Sequence, residues 1–209
     1  MGYPDSILHK VVRPGRYTGG EWNSIAKDWQ TTRVRVALAY PDTYEIGMSN
    51  LALPILYDLL NKQPGVLAER VFAPWIDMEA AIRQAKIPLL SLESKRPLRE
   101  FDIIGFSLGS ELTYPNVLNM LDLAGIPVLA GDRDESHPLV VAGGTCTLNP
   151  EPMADFVDLF AIGDGEELAV ELVTAFQECK EHGCSRNQIL SGLAAIPGVY
   201  APSALRTDC

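Results

Sequence analysis

The chain has 209 residues, 47% of them hydrophobic, which suits a folded domain of roughly 100–200 residues with an extension. Its 17 Lys and Arg against 27 Asp and Glu leave a formal charge of −10, the wrong sign for neutralising nucleic-acid phosphates. No apolar run reaches the roughly 18–20 residues of a membrane span, and the first residues lack the apolar segment of a signal peptide. We therefore expect a cytoplasmic protein that binds neither nucleic acid nor membrane.

The cysteines predict neither a disulfide framework nor a metal site. They are few and irregularly spaced, which fits a reducing compartment, so we expect all of them to be free thiols. Cys179 and Cys184 flank His182, but no second ligand pair completes a zinc site, and His182 fits better as a group interacting with a helix C-terminus. The four cysteines are Cys146, Cys179, Cys184 and Cys209.

The chain opens with an irregular arm and then enters a sheet. Residues 1–30 are rich in Gly, Arg and aromatic residues without a strand or helix period, so we expect at most a short helix over Trp22–Trp29. Val34–Tyr40 is almost entirely apolar, as is typical of a strand buried on both faces of a parallel sheet. The first strand is therefore predicted directly after the arm.

Helix and strand patterns alternate along the rest of the chain. Apolar residues over Met48–Leu59 recur with the period of an amphipathic helix, with Ser49 or Asn50 as its cap. The later elements, in chain order, are a strand at Val66–Phe72, a helix at Trp75–Lys86, a strand at Ile103–Phe106, a helix from Pro115 to Gly125, strands at Leu139–Gly144 and Val157–Ile162, a helix at Glu166–Glu181 and a short helix capped by Ser185 and Gln188. Residues 197–202 fit a strand or a linker.

This alternation predicts the fold class. Parallel neighbours cannot be joined by hairpins, so helices must cross over between strands with the usual right hand. We predict an α/β fold, a flavodoxin-like doubly wound five-stranded parallel sheet in three layers (α/β/α) with an irregular N-terminal arm. Ligands bind such folds beyond the carboxyl ends of the strands, so we expect any ligand contacts in the loops 41–50, 107–114, 143–150 and 163–166.

One loop carries a hydrolase-like pattern. Gly105–Gly109 spells G-x-S-x-G after a strand, as in the nucleophile elbow that exposes a reactive serine. That turn requires a helix directly after Ser107, whereas Pro115 is placed to open a new helix several residues later. The candidate triad partners downstream are Asp158, Asp164 and His182. We keep a serine hydrolase as the less favoured alternative.

Two glycine turns are candidates for other roles. Gly143, Gly144 and Thr145 end a strand with bare backbone, which either lets a cofactor approach the N–H groups or forms a tight turn. Asp164 and Glu167 have the spacing of a capping pair, and we expect them to cap a helix rather than bind phosphate. The chain contains neither G-x-G-x-x-G nor a Walker-type loop, which disfavours dinucleotide and ATP binding by those routes.

Three long strings resemble a known family. They are PDTYEIGMSNLALPILYDLLN, LLSLESKRPLREFDIIGFSLGSELTYPNVLNMLDLAGIP and VVAGGTCTLNPEPMADFVDLFAIGDGEE. On these strings the chain resembles the N-terminal part of a family of uncharacterised radical S-adenosylmethionine (radical SAM) proteins, which couples a cobalamin-binding-like domain to a radical core. The resemblance extends from the arm to about residue 203.

The resemblance implies that the radical chemistry belongs to a different domain of the parent protein. It implies an arm over residues 1–30, a cobalamin-binding-like domain over 31–200 and a linker over 201–209 toward a radical SAM core of the same parent chain, which would be the partner. S-adenosylmethionine and the [4Fe–4S] cluster belong to that core, because this chain has no C-x-x-x-C-x-x-C loop to supply three close thiolates. We therefore expect a radical SAM enzyme as the parent, and no catalytic or metal-ligating residue here.

The resemblance also implies a cobalamin site without its usual ligand. Many cobalamin domains carry D-x-H-x-x-G, whose His binds cobalt, whereas the corresponding stretch 41–47 keeps Asp42 and has no His. A cobalamin would therefore bind here without an axial His. By position in the fold, the residues expected to line the cofactor face are Asp42, Ser107, Leu108, Glu111, Gly143, Gly144 and Thr145.

Two functions follow from these features. The favoured hypothesis is a cobalamin-binding or vestigial cobalamin-type domain that presents a cofactor or substrate to the separate radical core, and the retained glycine loops favour it. The alternative is a non-catalytic scaffold or interaction module that has lost cofactor binding, and the absent His favours it.

Overall fold

A computed structural model describes residues 2–205, and the side chains of residues 2–203. Most of the expected linker over 201–209, including Cys209, lies outside the described residues. The strands are β1 (Val34–Tyr40), β2 (Val66–Phe72), β3 (Ile103–Ser107), β4 (Leu139–Gly143), β5 (Leu159–Ala161) and β6 (Val199–Tyr200). The helices are α1 (Asp5–Leu8), α2 (Gly15–Thr18), α3 (Tyr44–Met48), α4 (Ala52–Asn61), α5 (Ile76–Ala85), α6 (Tyr114–Ala124), α7 (Gly165–Glu181), α8 (Arg186–Ala194) and α9 (Pro202–Leu205).

The strands form one sheet in the order β2-β1-β3-β4-β5-β6. β1 to β5 are parallel, and β1 lies between β2 and β3, with Val36 opposite both Ala68 and Ile103. The order 2-1-3-4-5 is that of flavodoxin-like folds, so the predicted fold class and its five parallel strands are confirmed. The structure adds β6, which pairs antiparallel with β5 at the sheet edge.

Helices cover both faces of the sheet, as a three-layer fold requires. Successive strand residues point to opposite faces, so Ile103 belongs to one hydrophobic core and Ile104 to the other. On the Ile104 face, Met78 of α5 and Met120 of α6 are fully buried. The Ile103 face is covered by α4, α7 and α8, whose core side chains are Leu53, Leu60, Leu172, Phe176 and Leu193.

The edge strand β2 is buried although it contains two charged residues. Arg70 donates to Glu93 at 2.6 Å and to Glu21 at 3.1 Å, which ties both the 90–97 segment and the arm to the strand. Glu69 accepts from the backbone N–H and hydroxyl of Ser94. The polar groups of this edge are therefore satisfied within the chain, which protects the strand from pairing with another sheet.

The helix boundaries differ from the prediction in two places. The arm is helical at α1 and α2, and not over Trp22–Trp29, so that prediction is wrong. The helix expected over Met48–Leu59 begins only at Ala52, as α4, while Met48 ends the separate helix α3, and the Asn50 side chain accepts a hydrogen bond from the Ala52 N–H at 3.0 Å. Pro54 thereby lies in the first turn of α4, where the N–H that a proline lacks has no intrahelical acceptor.

The ends of α6, α7 and α8 follow their local sequence. Gly125 ends α6 in a left-handed conformation, and Ser185 and Gln188 form the predicted capping box of α8. Asp164 occupies the N-cap position of α7, but its side chain accepts no capping hydrogen bond from the backbone, so the expected Asp164–Glu167 capping pair is not formed. Within residues 2–205, no helix is long and apolar enough to cross a membrane.

Candidate functional site

A cleft opens toward the carboxyl ends of the parallel strands, between α4 and α7. Its volume is about 210 Å³. The walls are apolar, with Leu53, Ile55 and Leu56 on the α4 side and Ala169, Leu172 and Val173 on the α7 side. The strand order reverses between β1 and β3, both of which contribute to the floor, so the cleft lies where doubly wound folds bind ligands.

Much of the floor of the cleft is made of small residues. On this face β3 presents Ile103 and then Gly105 and Ser107, and β4 presents Val141 and then Gly143, whereas β1 presents Val36 and then the larger Leu38. These small floor residues are Gly105, Ser107, Gly143 and Ala161. The decrease in side-chain size along β3 and β4 is what produces the open space.

The floor glycines are not required by the backbone or by close packing. A Cβ at Gly105 would lie 3.9 Å from Leu38, and one at Gly143 would lie 3.9 Å from the Ala161 carbonyl oxygen, both ordinary contact distances. Neither glycine has a positive φ. A Cβ would therefore fit sterically at both positions, and its absence leaves that space to the cleft.

Gly144 has a different role from its neighbour. Its φ is +104°, and a Cβ there would lie 2.7 Å from the Leu108 carbonyl oxygen. The loops after β3 and β4 interlock at this point, because the Leu108 N–H donates to Gly143 at 2.7 Å and the Cys146 N–H donates to Leu108 at 3.1 Å. Of the two roles considered for this turn, the geometry at Gly144 gives the tight turn.

The residues expected on the cofactor face divide into two groups. Ser107, Gly143 and Gly144 line the cleft. Outside its lining lie Asp42, which accepts from the Thr43 N–H at 2.6 Å, Leu108, which is buried in the opposite core, and the exposed Glu111 and Thr145. Contact of each of these residues with a cofactor stays a prediction.

Two lining residues, Gly105 and Ala161, were not predicted from the sequence. Gly163, Gly165 and Glu166, the charged residue of the lining, belong to the loop 163–166 that was expected at the ligand edge, although no site role was assigned to them. For Gly105 the available signal was the two-residue period of a strand, which places it on the same sheet face as Ser107.

The hydrolase geometry is not formed. Ser107 is the last residue of β3, and the chain continues through Leu108–Ser110 and a 3-10 turn before α6 begins at Tyr114. His182 follows the C-terminus of α7, where the nearby Lys180 contacts Asp102 before the amino end of β3. Ser107 and His182 therefore lie at opposite ends of the sheet.

The titratable groups near the cleft do not form a catalytic constellation. Tyr114 lies beside Cys146 after β4, and burial raises the pKa of the tyrosine. Glu45 in α3 is held by Arg16 and Arg13, which lower its pKa to about 2. These contacts link the arm and the loops at the carboxyl edge of the sheet.

The described cysteines fit the expectation of free thiols. Cys146, Cys179 and Cys184 are all unpaired, and burial raises the pKa of Cys179, which contacts Cys184. Across residues 2–205, no cluster of His, Cys, Asp and Glu has the form of a metal site. The Nδ1 of His182 lies 2.7 Å from the Glu178 carbonyl oxygen, the contact expected of a residue at a helix C-terminus.

Comparison with known proteins places this cleft in a family context. A family model described as "Radical SAM proteins, N-terminal" matches residues 52–202, a range that contains α4, β3, β4 and α7. The chain is also 27% identical over 150 residues to an uncharacterised protein of Methanocaldococcus jannaschii, with 71% of this chain and 28% of that protein aligned. The chain thus spans little more than a quarter of the length of this curated relative.

Proposed function

The chain belongs to the family of N-terminal domains of radical SAM proteins, and we propose that it is the ligand-holding module of such a protein. In this proposal the cleft between α4 and α7 receives a cofactor of the cobalamin type, or a bulky substrate, and presents it to a radical core in the same polypeptide. The observation that carries the proposal is the small-residue floor, since Gly105 and Gly143 leave space that neither backbone nor packing requires.

The size and chemistry of the cleft fit part of such a ligand. Its volume of about 210 Å³ is below the roughly 300–1,000 Å³ of pockets that enclose a drug-sized molecule. A group inserted between the two helices would therefore continue outward over the carboxyl ends of the strands. The lining is mainly aliphatic, so the inserted group is expected to be apolar or aromatic.

The described lining contains no His, Cys or Met to bind cobalt. A cobalamin would be held by shape and by backbone contacts near Ser107, Gly143 and Gly163. When bound, the cobalamin would supply cobalt-centred chemistry, while this chain binds and orients it and shields its inserted part from water. The electrons and the S-adenosylmethionine would belong to the radical core.

A scaffold is the competing proposal. The same lining has Glu166 as its charged residue and few other polar groups, whereas ligand sites usually place several polar groups around an apolar pocket. If the cleft holds nothing, the domain would serve to shape and position the rest of its polypeptide.

Titration with hydroxocobalamin and methylcobalamin distinguishes the two proposals. We expect a change in visible absorbance and, at a ligand concentration about 100 times Kd, a stabilisation of roughly 2.7 kcal/mol in thermal unfolding. Gly143→Val, which fills the floor, should abolish both signals without unfolding the domain. Gly131→Val, at an exposed turn outside the cleft lining with nothing within 4 Å of its Cβ position, should retain them.

Absence of binding by the unmodified chain would favour the scaffold. Binding that survives Gly143→Val would place any cobalamin elsewhere and contradict the assignment of this cleft.

A further inference from the structure

Large hydrophobic side chains are exposed mainly at the carboxyl edge of the sheet. The exposed fractions reach 89% for Leu112, 78% for Leu148 and 73% for Ile76. Single exposed apolar residues are normal on a protein surface, whereas a group of them at one place marks an interaction site. We call this group the apolar rim, and its residues are Val12, Ile46, Leu51, Trp75, Ile76, Leu112 and Leu148.

The rim residues follow the strands in their spatial order. Trp75 and Ile76 come after β2, Ile46 and Leu51 after β1, Leu112 after β3 and Leu148 after β4, and these strands are adjacent in the sheet. Neighbouring strands lie only about 5 Å apart, so the loops that carry these residues lie in a row at one edge of the sheet. The cleft opens at the same edge, and Leu51 directly precedes Ala52, which lines the cleft.

Specific contacts hold the rim loops together. The arm joins the row because the Val12 N–H donates to Asp77 at 2.7 Å at the start of α5. The Asn116 side chain donates to the Pro41 carbonyl at 2.8 Å, which links α6 to the end of β1. The rim is therefore a preformed surface built from connected loops.

Three other exposed large hydrophobic side chains lie outside the rim in the described chain. Trp22 lies in the arm, Ile55 lies on α4 and lines the cleft, and Leu129 follows α6. The carboxyl edge is thus the part of residues 2–203 that concentrates exposed apolar side chains.

We propose that the apolar rim is the docking face for the radical core of the same polypeptide, an inference that rests on the proposed function. The chain spans 28% of its archaeal relative, so most of a polypeptide of that length lies outside these residues and is available to cover the rim. The cleft opens at the same edge, so a core seated on the rim would face whatever the cleft holds. Covering the rim would also remove its apolar side chains from water.

Hydrogen exchange on the complete polypeptide, compared with the 209-residue chain, tests this docking. We expect amides in the loops after β3 and β4, around Leu112 and Leu148, to exchange at least about tenfold more slowly in the complete polypeptide. The double variant Leu112→Ser, Leu148→Ser should remove most of that protection. Leu129→Ser is the matched control, since it also replaces an exposed leucine but lies outside the rim.

Three results would overturn the proposal. The first is equal hydrogen exchange of the rim amides in the complete polypeptide and in the 209-residue chain. The second is protection of the rim in the 209-residue chain that increases with its concentration, because that would indicate a second copy as the occupant, and the third is a reading frame that encodes no radical core.

These experiments distinguish failure of the docking proposal from failure of the ligand-holding proposal. The serine variants are not expected to change cobalamin titration of the 209-residue chain, because neither Leu112 nor Leu148 lines the cleft. Rim protection without cobalamin binding would support docking and reject cobalamin as the ligand, whereas cobalamin binding with an unprotected rim would reject docking alone.

Discussion

The amino and carboxyl ends of the sheet differ in how their side chains are packed and paired. At the amino end, Asp158 accepts from Arg133 at 3.1 Å, from Arg186 at 2.9 Å and from the Val140 N–H at 2.7 Å, all in buried positions. Asp102 there accepts from Lys180 and from the Arg35 N–H. At the carboxyl end, glycines leave a cleft open and leucines remain exposed.

This contrast separates stability from binding. The carboxylates of Asp158 and Asp102 at the amino end are held by cations and backbone N–H groups of the chain itself. The carboxyl end leaves apolar surface uncovered, which costs stability unless something else covers it. We infer that the amino end fixes the fold and the carboxyl end is available for recognition.

Removing the carboxylate at the centre of the amino-end cluster should have the largest effect. Asp158→Ala leaves Arg133, whose side chain is fully buried, and Arg186 without their counter-charge, at a cost of about 3–5 kcal/mol. Burial already lowers the pKa of Arg133, which shows that its environment disfavours the cation. Urea unfolding measures the loss.

Asp122→Ala is the matched control for that experiment. Asp122 also pairs with an arginine, Arg83, but its side chain is 56% exposed, so the expected cost is at most about 1 kcal/mol. Similar costs for the two variants would contradict the assignment of the amino end as the stabilising end.

Gly144→Ala tests the interlocked turn at the carboxyl end and should have an intermediate effect. The alanine would occupy a φ of +104° with its Cβ 2.7 Å from the Leu108 carbonyl oxygen, so we expect a loss of about 1–3 kcal/mol in thermal or urea unfolding. Gly109→Ala, in the same loop region with nothing within 4 Å and no positive φ, should change stability by less than about 0.5 kcal/mol. An unaffected Gly144→Ala would show that the loops after β3 and β4 are not locked together.

The smallest effect is expected for the ion pairs that hold the arm against the carboxyl end. Arg16 and Arg13 lower the pKa of Glu45 to about 2 in the folded chain. Because this pKa is depressed on folding, the contribution is present above the usual glutamate range and is lost as the pH falls toward about 2. Glu45 is 41% exposed and Arg13 is 64% exposed, so solvent screening limits the contribution to below about 1 kcal/mol.

Comparing the unmodified chain with Glu45→Gln across that pH range measures this contribution. The variant should be slightly less stable near neutral pH, the two stability curves should converge near about pH 2, and added salt should reduce the difference. A difference between the curves that persists at low pH would assign the effect to packing rather than charge.

Local patterns predicted most elements of the fold because each depends on residues close in sequence. The apolar run at Val66–Phe72 became β2 over the same residues, and Gly125 and Ser185 marked helix ends that the structure retains. The arm was harder, because its helices are only four residues each and are held by distant partners such as Glu45 and Asp77. Short helices of this kind have little stability of their own.

The candidate site was only partly predictable. Ser107, Gly143 and Gly144, chosen by loop position, line the cleft, since the carboxyl ends of parallel strands share one edge. It could not show that Leu108 turns into the opposite core, or that Gly143 leaves space while Gly144 fills a tight turn. Those distinctions depend on atoms from other strands.

By itself the sequence determined the alternation of helices and strands, and hence a doubly wound parallel sheet, because periodicity and capping are local properties. Only the tertiary structure decided which small residues share one face, which buried charges pair and which hydrophobic side chains stay exposed. The physical reason is that an open cleft and an uncovered surface are defined by what neighbouring elements fail to fill, and that depends on the packing of the whole sheet.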